Sequence, residues 1–119
     1  MGRYCCGPGP GEKTYIYVGE IGDNAAKFDY KYIYRLEEPK LDLSSPVEVD
    51  VTTIDSIKFQ LPDGKRDTEA IMVDPLTKDL YVFSKREKEE IHVYVLPFPQ
   101  STTTLVTARF VMKLAVPLP

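Results

Sequence analysis

Two groups of acidic and amide side chains are the residues of this sequence best suited to chemistry. Glu20, Asp23 and Asn24 lie close together, and Asn24 is the only asparagine in the chain. Asp67 and Glu69 are one residue apart and lie at the start of an apolar run. Carboxylate and amide oxygens are the hard ligands that Ca²⁺ prefers, and a site takes about six to eight of them. These five residues are therefore the predicted calcium ligands.

The sequence favours a structural interpretation of the same residues. Their spacing does not match the acidic repeat of an EF-hand loop. Gly22-Asp23-Asn24 is typical of a turn, and Asp67 can cap the loop before its own strand with a local hydrogen bond.

Two basic residues, Lys85 and Arg86, directly follow an apolar run. Beside an acidic site they could pair with a carboxylate or bind the phosphate of a substrate. The alternative is ordinary solvated charge, because glutamates follow them directly in the sequence. Lys85 and Arg86 are therefore candidate ligand-binding residues.

The histidine and the cysteines exclude several kinds of site. His92 is the only histidine, and no G-x-S-x-G motif supplies the serine of a Ser-His-Asp triad. Cys5 and Cys6 are adjacent, so they cannot link distant parts of a fold, and with one histidine they do not complete a zinc site. The N-terminus lacks the apolar segment of a secretory signal.

Composition and charge exclude further classes. The chain has 119 residues and a mass of 13.5 kDa, which suits a single core. Fifteen Lys and Arg against eighteen Asp and Glu give a net charge of −3, so no broad basic field is available for nucleic acid. No apolar run reaches the roughly 18 residues of a membrane-spanning helix.

The elements that must position these side chains are predicted to be strands. Proline and glycine recur at short intervals and leave no room for a long helix. Between them stand short runs rich in Tyr, Val, Ile and Phe, and residues 57–61 alternate apolar and polar side chains as a half-buried strand does. The runs are 15–18, 32–36, 47–51, 57–61, 70–73, 80–83, 91–96 and 105–111.

The chain also repeats itself. Ile16-Tyr17-Val18 matches Leu80-Tyr81-Val82 at an offset of 64. At an offset of 60, Ile33-Tyr34, Leu36 and Pro39 match Val93-Tyr94, Leu96 and Pro99. A period of this length with four candidate strands indicates β-propeller blades, each a four-stranded antiparallel sheet. We predict an all-β chain of about two blades in an incomplete ring, made of an irregular N-terminal loop at 1–11, an incomplete first blade at 12–64 and a second blade at 65–119.

Three stretches carry a resemblance to a known family. Residues 15–24, 32–39 and 61–75, continued by 78–87, are similar to signatures of the esterase-like and phytase-like β-propeller proteins, which are largely uncharacterised proteins of bacteria and animals. The resemblance covers roughly residues 7 to 99. Glu20 stands where the family has Asp, and residues 1–6 depart from the family's strand before the Gly-Pro-Gly-Pro loop.

This resemblance implies an extracellular propeller of about six blades, whose phytase-like members hold calcium and a phosphate substrate on acidic loops. The leading hypothesis is a binding or structural module with no activity of its own, whose partners are other blades or copies of itself. A calcium-dependent phosphoester or ester hydrolase, with Lys85 engaging the substrate, is the second hypothesis. The third is self-association through open sheet edges.

Overall fold

The protein is built from strands and turns. The computed structural model describes residues 2–21, 30–39, 51, 53–64, 66–85 and 87–116, and these contain strands and one short 3-10 turn at Pro10–Glu12. The predicted all-β class is confirmed. No helix among these residues is long and apolar enough to cross a membrane.

Nine strands form within the described residues, and their positions agree with most of the predicted apolar runs. They are β1 (Gly2–Pro8), β2 (Thr14–Glu20), β3 (Lys31–Glu37), β4 (Asp55–Gln60), β5 (Thr68–Val73), β6 (Leu80–Ser84), β7 (Glu90–Leu96), β8 (Val106–Thr107) and β9 (Arg109–Ala115). The predicted run 47–51 falls largely outside the described residues.

The strands are arranged in two sheets. The first has the order β1-β2-β3-β4-β8 and the second has the order β5-β6-β7-β9. All neighbouring strands run antiparallel except β4 and the two-residue β8, which run parallel. Each sheet is thus a meander of four antiparallel strands, to which the first sheet adds β8. The described residues form no closed ring.

The N-terminal segment differs from the prediction. The sequence predicts an irregular segment at 1–11, yet Gly2–Pro8 forms β1, which pairs with β2 along its whole length, from Gly2↔Glu20 to Pro8↔Thr14. The reason is long-range: β1 fills the position beside β2 that the prediction leaves empty, and it also contacts β5 of the second sheet. A Cβ on Gly7 would overlap Cγ1 of Val73, so only glycine permits this approach.

The sequence repeat recurs as a structural repeat. Ile16 and Leu36 are cross-strand partners on β2 and β3, and their counterparts Leu80 and Leu96 are cross-strand partners on β6 and β7. Two residues further along, the partners Val18 and Tyr34 correspond in the same way to the partners Val82 and Tyr94. The matched residues therefore occupy the second and third strands of both sheets in the same register.

One apolar core lies between the two sheets. Strand residues of both sheets bury their side chains in it: Tyr17, Ile33, Ile57 and Phe59 from the first, and Ile71, Val73, Leu80, Val82, Tyr94 and Leu96 from the second. Because side chains alternate along a strand, each sheet turns one face to this core and the other face outward.

A buried polar network also joins distant segments. Arg35 is 4% exposed, and its Nε and one terminal nitrogen donate to Asp55 Oδ2 at 3.0 and 2.8 Å. The other terminal nitrogen donates to Gln100 Oε1 at 3.3 Å, and Gln100 donates in turn to the carbonyl of Leu96 at 3.0 Å. This network ties the first sheet to the segment that follows β7.

Candidate functional site

The described residues among those predicted for a site lie at one end of the two sheets. Glu20 is the last residue of β2, Asp67 and Glu69 lie at the start of β5, and Lys85 follows β6. Glu20, Glu69 and Lys85 are exposed, whereas Asp67 is half-buried. Asp23, Asn24 and Arg86, the other predicted site residues, lie outside the described residues.

Hydrogen bonds hold the strand ends together here. The Thr68 hydroxyl donates to the carbonyl of Ile21 at 2.5 Å, and Lys31 Nζ donates to the same carbonyl at 3.0 Å. The Lys85 backbone N–H donates to the carbonyl of Asp67 at 3.0 Å. The immediate neighbour of Glu20 therefore contacts the immediate neighbour of Asp67, although the two carboxylates come from different sheets.

The predicted calcium site stays a prediction. Within the described residues there is no group of three or more His, Cys, Asp and Glu side chains that could hold a metal ion. Two of the five predicted ligands, Asp23 and Asn24, lie outside those residues.

The structure assembles a second polar group that the sequence did not indicate. We call it the Tyr94 cluster, and it consists of Asp63, Arg66, Glu87, Glu90, His92 and Tyr94. The Tyr94 hydroxyl lies 2.9 Å from both carboxylate oxygens of Asp63 and donates to them. His92 lies between two carboxylates, with Nδ1 3.6 Å from Asp63 Oδ2 and Nε2 3.7 Å from Glu90 Oε2.

Arg66 links two of the carboxylates in the cluster. Its terminal nitrogens lie 3.5 Å from Asp63 Oδ2 and 3.6 Å from Glu87 Oε2. Its Nε is buried and has no hydrogen-bond partner among the described residues. The cluster thereby connects the turn before β5 to the start of β7.

Burial and charge determine the protonation of the central tyrosine. Burial of the side chain, followed by the hydrogen bond and negative charge of Asp63, raises the pKa of Tyr94 well above its ordinary value, and Arg66 opposes this shift. The phenol consequently keeps its proton and serves as a hydrogen-bond donor, which excludes it as a general base near neutral pH.

The net charge of the cluster decides which ligands it can attract. Its three carboxylates, those of Asp63, Glu87 and Glu90, outnumber its two basic side chains, Arg66 and His92. The cluster attracts cationic groups and repels phosphate. It does not extend the candidate phosphate contacts of Lys85.

Sequence reasoning missed this cluster because its members come from distant positions. Asp63 and Tyr94 are 31 residues apart. The available signals were an aspartate in a Pro-Asp-Gly turn, the only histidine, and a tyrosine of the repeat two residues after it. None of these signals indicates on its own that the turn folds back on β7.

An open cavity of about 310 Å³ lies on the outward side of the first sheet, next to the loop before β8. Its walls are formed by Tyr32, Ser56, Lys58, Thr102, Thr103, Thr104 and Leu105. These groups offer hydroxyls and one ammonium but no paired acid and base, so the cavity is suited to binding more than to catalysis.

The chain was also compared with known proteins. Protein-family models, curated proteins and solved structures give no match to it.

Proposed function

We propose that the chain is a structural and binding module of the β-propeller type, in which each sheet is one repeat unit. The recurrence of the same cross-strand partners, in the same register and on the second and third strands of both sheets, carries this proposal. Such a recurrence is typical of repeat proteins, in which each unit buries its faces against its neighbours.

The position of the first strands supports the propeller arrangement. β1 and β5 are the first strands of their sheets and contact each other directly. Radial repetition of four-stranded sheets around a common axis brings corresponding strands of neighbouring sheets together in this way.

A binding role is favoured over a catalytic one by the polar residues themselves. Tyr94 and Asp63 are hydrogen-bonded to each other, and Arg66 forms ion pairs with Asp63 and Glu87. These groups hold the fold together, and none of them is left as an activated nucleophile.

A cross-linking experiment tests the repeat architecture. In a chain with Cys5→Ser and Cys6→Ser, the pair Gly7→Cys and Val73→Cys should form a disulfide on oxidation. A Cβ on Gly7 lies 3.4 Å from the Cβ of Val73, close to the separation of about 3.5–4.5 Å in disulfides. Met72→Cys in place of Val73→Cys is the matched control, because its side chain lies on the opposite face of β5. Absence of the first cross-link, or equal formation of both, contradicts the proposal.

Calorimetry and turnover test the hydrolase hypothesis on the full chain. We expect no turnover of a generic phosphomonoester in the presence of CaCl₂. Calcium heat together with turnover, both abolished by Asp67→Asn and retained by Glu38→Gln at the other end of β3, would replace the module with a calcium-dependent hydrolase.

A further inference from the structure

Each sheet leaves one apolar face outside the shared core. The front face is the outward face of the first sheet and carries Tyr4, Cys6, Ile16, Val18, Tyr34 and Leu36. The back face is the outward face of the second sheet and carries Met72, Tyr81, Phe83, Ile91, Met112 and Leu114. Exposure reaches 78% at Tyr4 and 48% at Met72, so the described residues do not fully cover either face.

The repeat relates the front face to a surface that is already buried. Val18 and Tyr34 are partners on the front face, and their repeat counterparts Val82 and Tyr94 are fully buried against the first sheet. The front face of the first sheet thus corresponds to the inner face of the second.

The repeat also relates the back face of the second sheet to the buried inner face of the first sheet. Tyr81 lies on the back face, and its repeat counterpart Tyr17 is 1% exposed in the core. The two sheets therefore pack through opposite faces of the repeat. If the two sheets packed through the same face of the repeat, their two outward faces would be alike. In the arrangement observed, the two outward faces are unlike, and neither packs against another sheet of the described residues.

We infer that a second copy of this chain packs its front face on the back face of the first, so that copies associate head to tail through a contact equivalent to the one between the two sheets. The contact between the two sheets within one chain supports a second copy as the partner. It shows that the face equivalent to the front face packs on the face equivalent to the back face. The inference rests on the proposed function, since it treats the sheets as equivalent units. A head-to-tail contact also differs from pairing at open strand edges, which would leave both faces exposed.

Two complementary variants test the direction of packing. Val18→Lys places a charge in the front face, and Phe83→Lys places one in the back face. In sedimentation velocity over a wide concentration range, each variant alone should associate at least about 30-fold more weakly than the unmodified chain, as expected for a buried contact residue. Leu76→Lys, at a turn position that is 90% exposed, is the matched control and should associate like the unmodified chain.

Mixing the two variants gives the decisive result. The intact front face of Phe83→Lys and the intact back face of Val18→Lys should form a one-to-one dimer that does not grow further. Association of Val18→Lys alone would indicate back-to-back pairing, and association of Phe83→Lys alone would indicate front-to-front pairing. Either result would overturn the inference, and so would an unmodified chain that stays monomeric at every concentration. Unchanged association of both variants would indicate edge pairing and overturn it equally.

Folding and architecture are controlled separately. Circular dichroism confirms that each variant is folded, and Tyr4→Lys with Met72→Lys supplies a second pair at more exposed positions of the same faces. If the Gly7–Val73 cross-link forms but the chain does not associate, the inference fails and the proposed function stands. If the cross-link fails to form, the proposed function itself fails.

Discussion

At the scale of single residues, Tyr94 shows how a polar group is accommodated in the core. Its side chain is 0% exposed, and the hydroxyl reaches Asp63 at the edge of the cluster. A buried hydroxyl without a partner is costly, so the position of Asp63 determines whether tyrosine is tolerated there. The Tyr94 hydroxyl thus stabilises the fold as a hydrogen-bond donor, and it does so only while it keeps its proton.

Alkaline pH should reveal the contribution of this phenol. The pKa of Tyr94 is raised in the folded state, so its stabilisation is fully present below the unfolded value of about 10 and is lost as pH rises above it. Tyr94→Phe should lower the free energy of unfolding by about 1–2 kcal/mol near neutral pH, because Asp63 loses its donor. The variant should also lose less stability than the unmodified chain on going to alkaline pH, as measured by urea unfolding.

An exposed tyrosine provides the control for the loss of a phenol hydroxyl. Tyr4 is 78% exposed, and Tyr4→Phe should leave the free energy of unfolding near neutral pH unchanged, because its side chain lies largely in solvent. Burial also raises the pKa of Tyr17, so part of the decline should persist in Tyr94→Phe. An identical decline in Tyr94→Phe and the unmodified chain would contradict the assignment.

Arg35 provides a second prediction at the residue scale. Asp55→Asn should destabilise the chain by about 2 kcal/mol, because a buried guanidinium loses its charged acceptor. Glu37→Gln is the matched control, since its pair with Lys13 is exposed on both sides, spans 3.5 Å and should contribute less than about 0.5 kcal/mol. Equal shifts in the urea midpoints of the two variants would argue against a structural role for the Arg35 network.

At the scale of elements, β1 decides how the two sheets meet. Gly7 lies where this strand passes closest to β5, and the absence of a side chain leaves room for Val73. The strand is therefore positioned by an interaction between sheets in addition to its pairing with β2.

A rescue experiment tests this close approach. Gly7→Ala should destabilise the chain by about 1–3 kcal/mol, because its Cβ would overlap Cγ1 of Val73. Val73→Ala removes that methyl group, so the double variant should be more stable than the sum of the two single effects predicts. Strict additivity in thermal unfolding would show that β1 and β5 do not touch at this point.

At the scale of the whole molecule, the two sheets share one core and should unfold together. Leu80→Ala in the second sheet and Ile57→Ala in the first should each destabilise the chain by about 2–5 kcal/mol, because both side chains are fully buried. Hydrogen exchange should accelerate in both sheets for either variant, whereas Leu76→Ala at an exposed turn should leave it unchanged. Faster exchange confined to the mutated sheet would indicate two independent units.

How much of the fold could be predicted from the sequence depends on how far apart in the chain the interacting residues lie. Strands β2, β3, β6 and β7 were predictable because apolar runs and turn residues act locally. The repeat also predicted which strands correspond. The N-terminal strand was not predictable, because its residues become a strand only when β2 and β5 offer partners.

The same distinction explains which parts of the candidate site could be predicted from the sequence. The acidic residues at 20, 67 and 69 were noticed because their chemistry is evident from their types, and the hydrogen bond between Thr68 and Ile21 brings their strands together. The Tyr94 cluster could not be read from residue types, because no local pattern links the turn at Asp63 to β7.

The sequence by itself determined that the chain is all-β, where most strands lie and which segments repeat, since these properties depend on neighbours a few residues apart. For strands that are apolar on both faces, such as β2 and β6, only the tertiary structure decided which face is buried. In these strands the alternation of side chains defines two faces without choosing between them, and the choice follows from how one sheet meets the other. That choice makes the Tyr94 and Arg35 networks possible and leaves two unlike apolar faces outward.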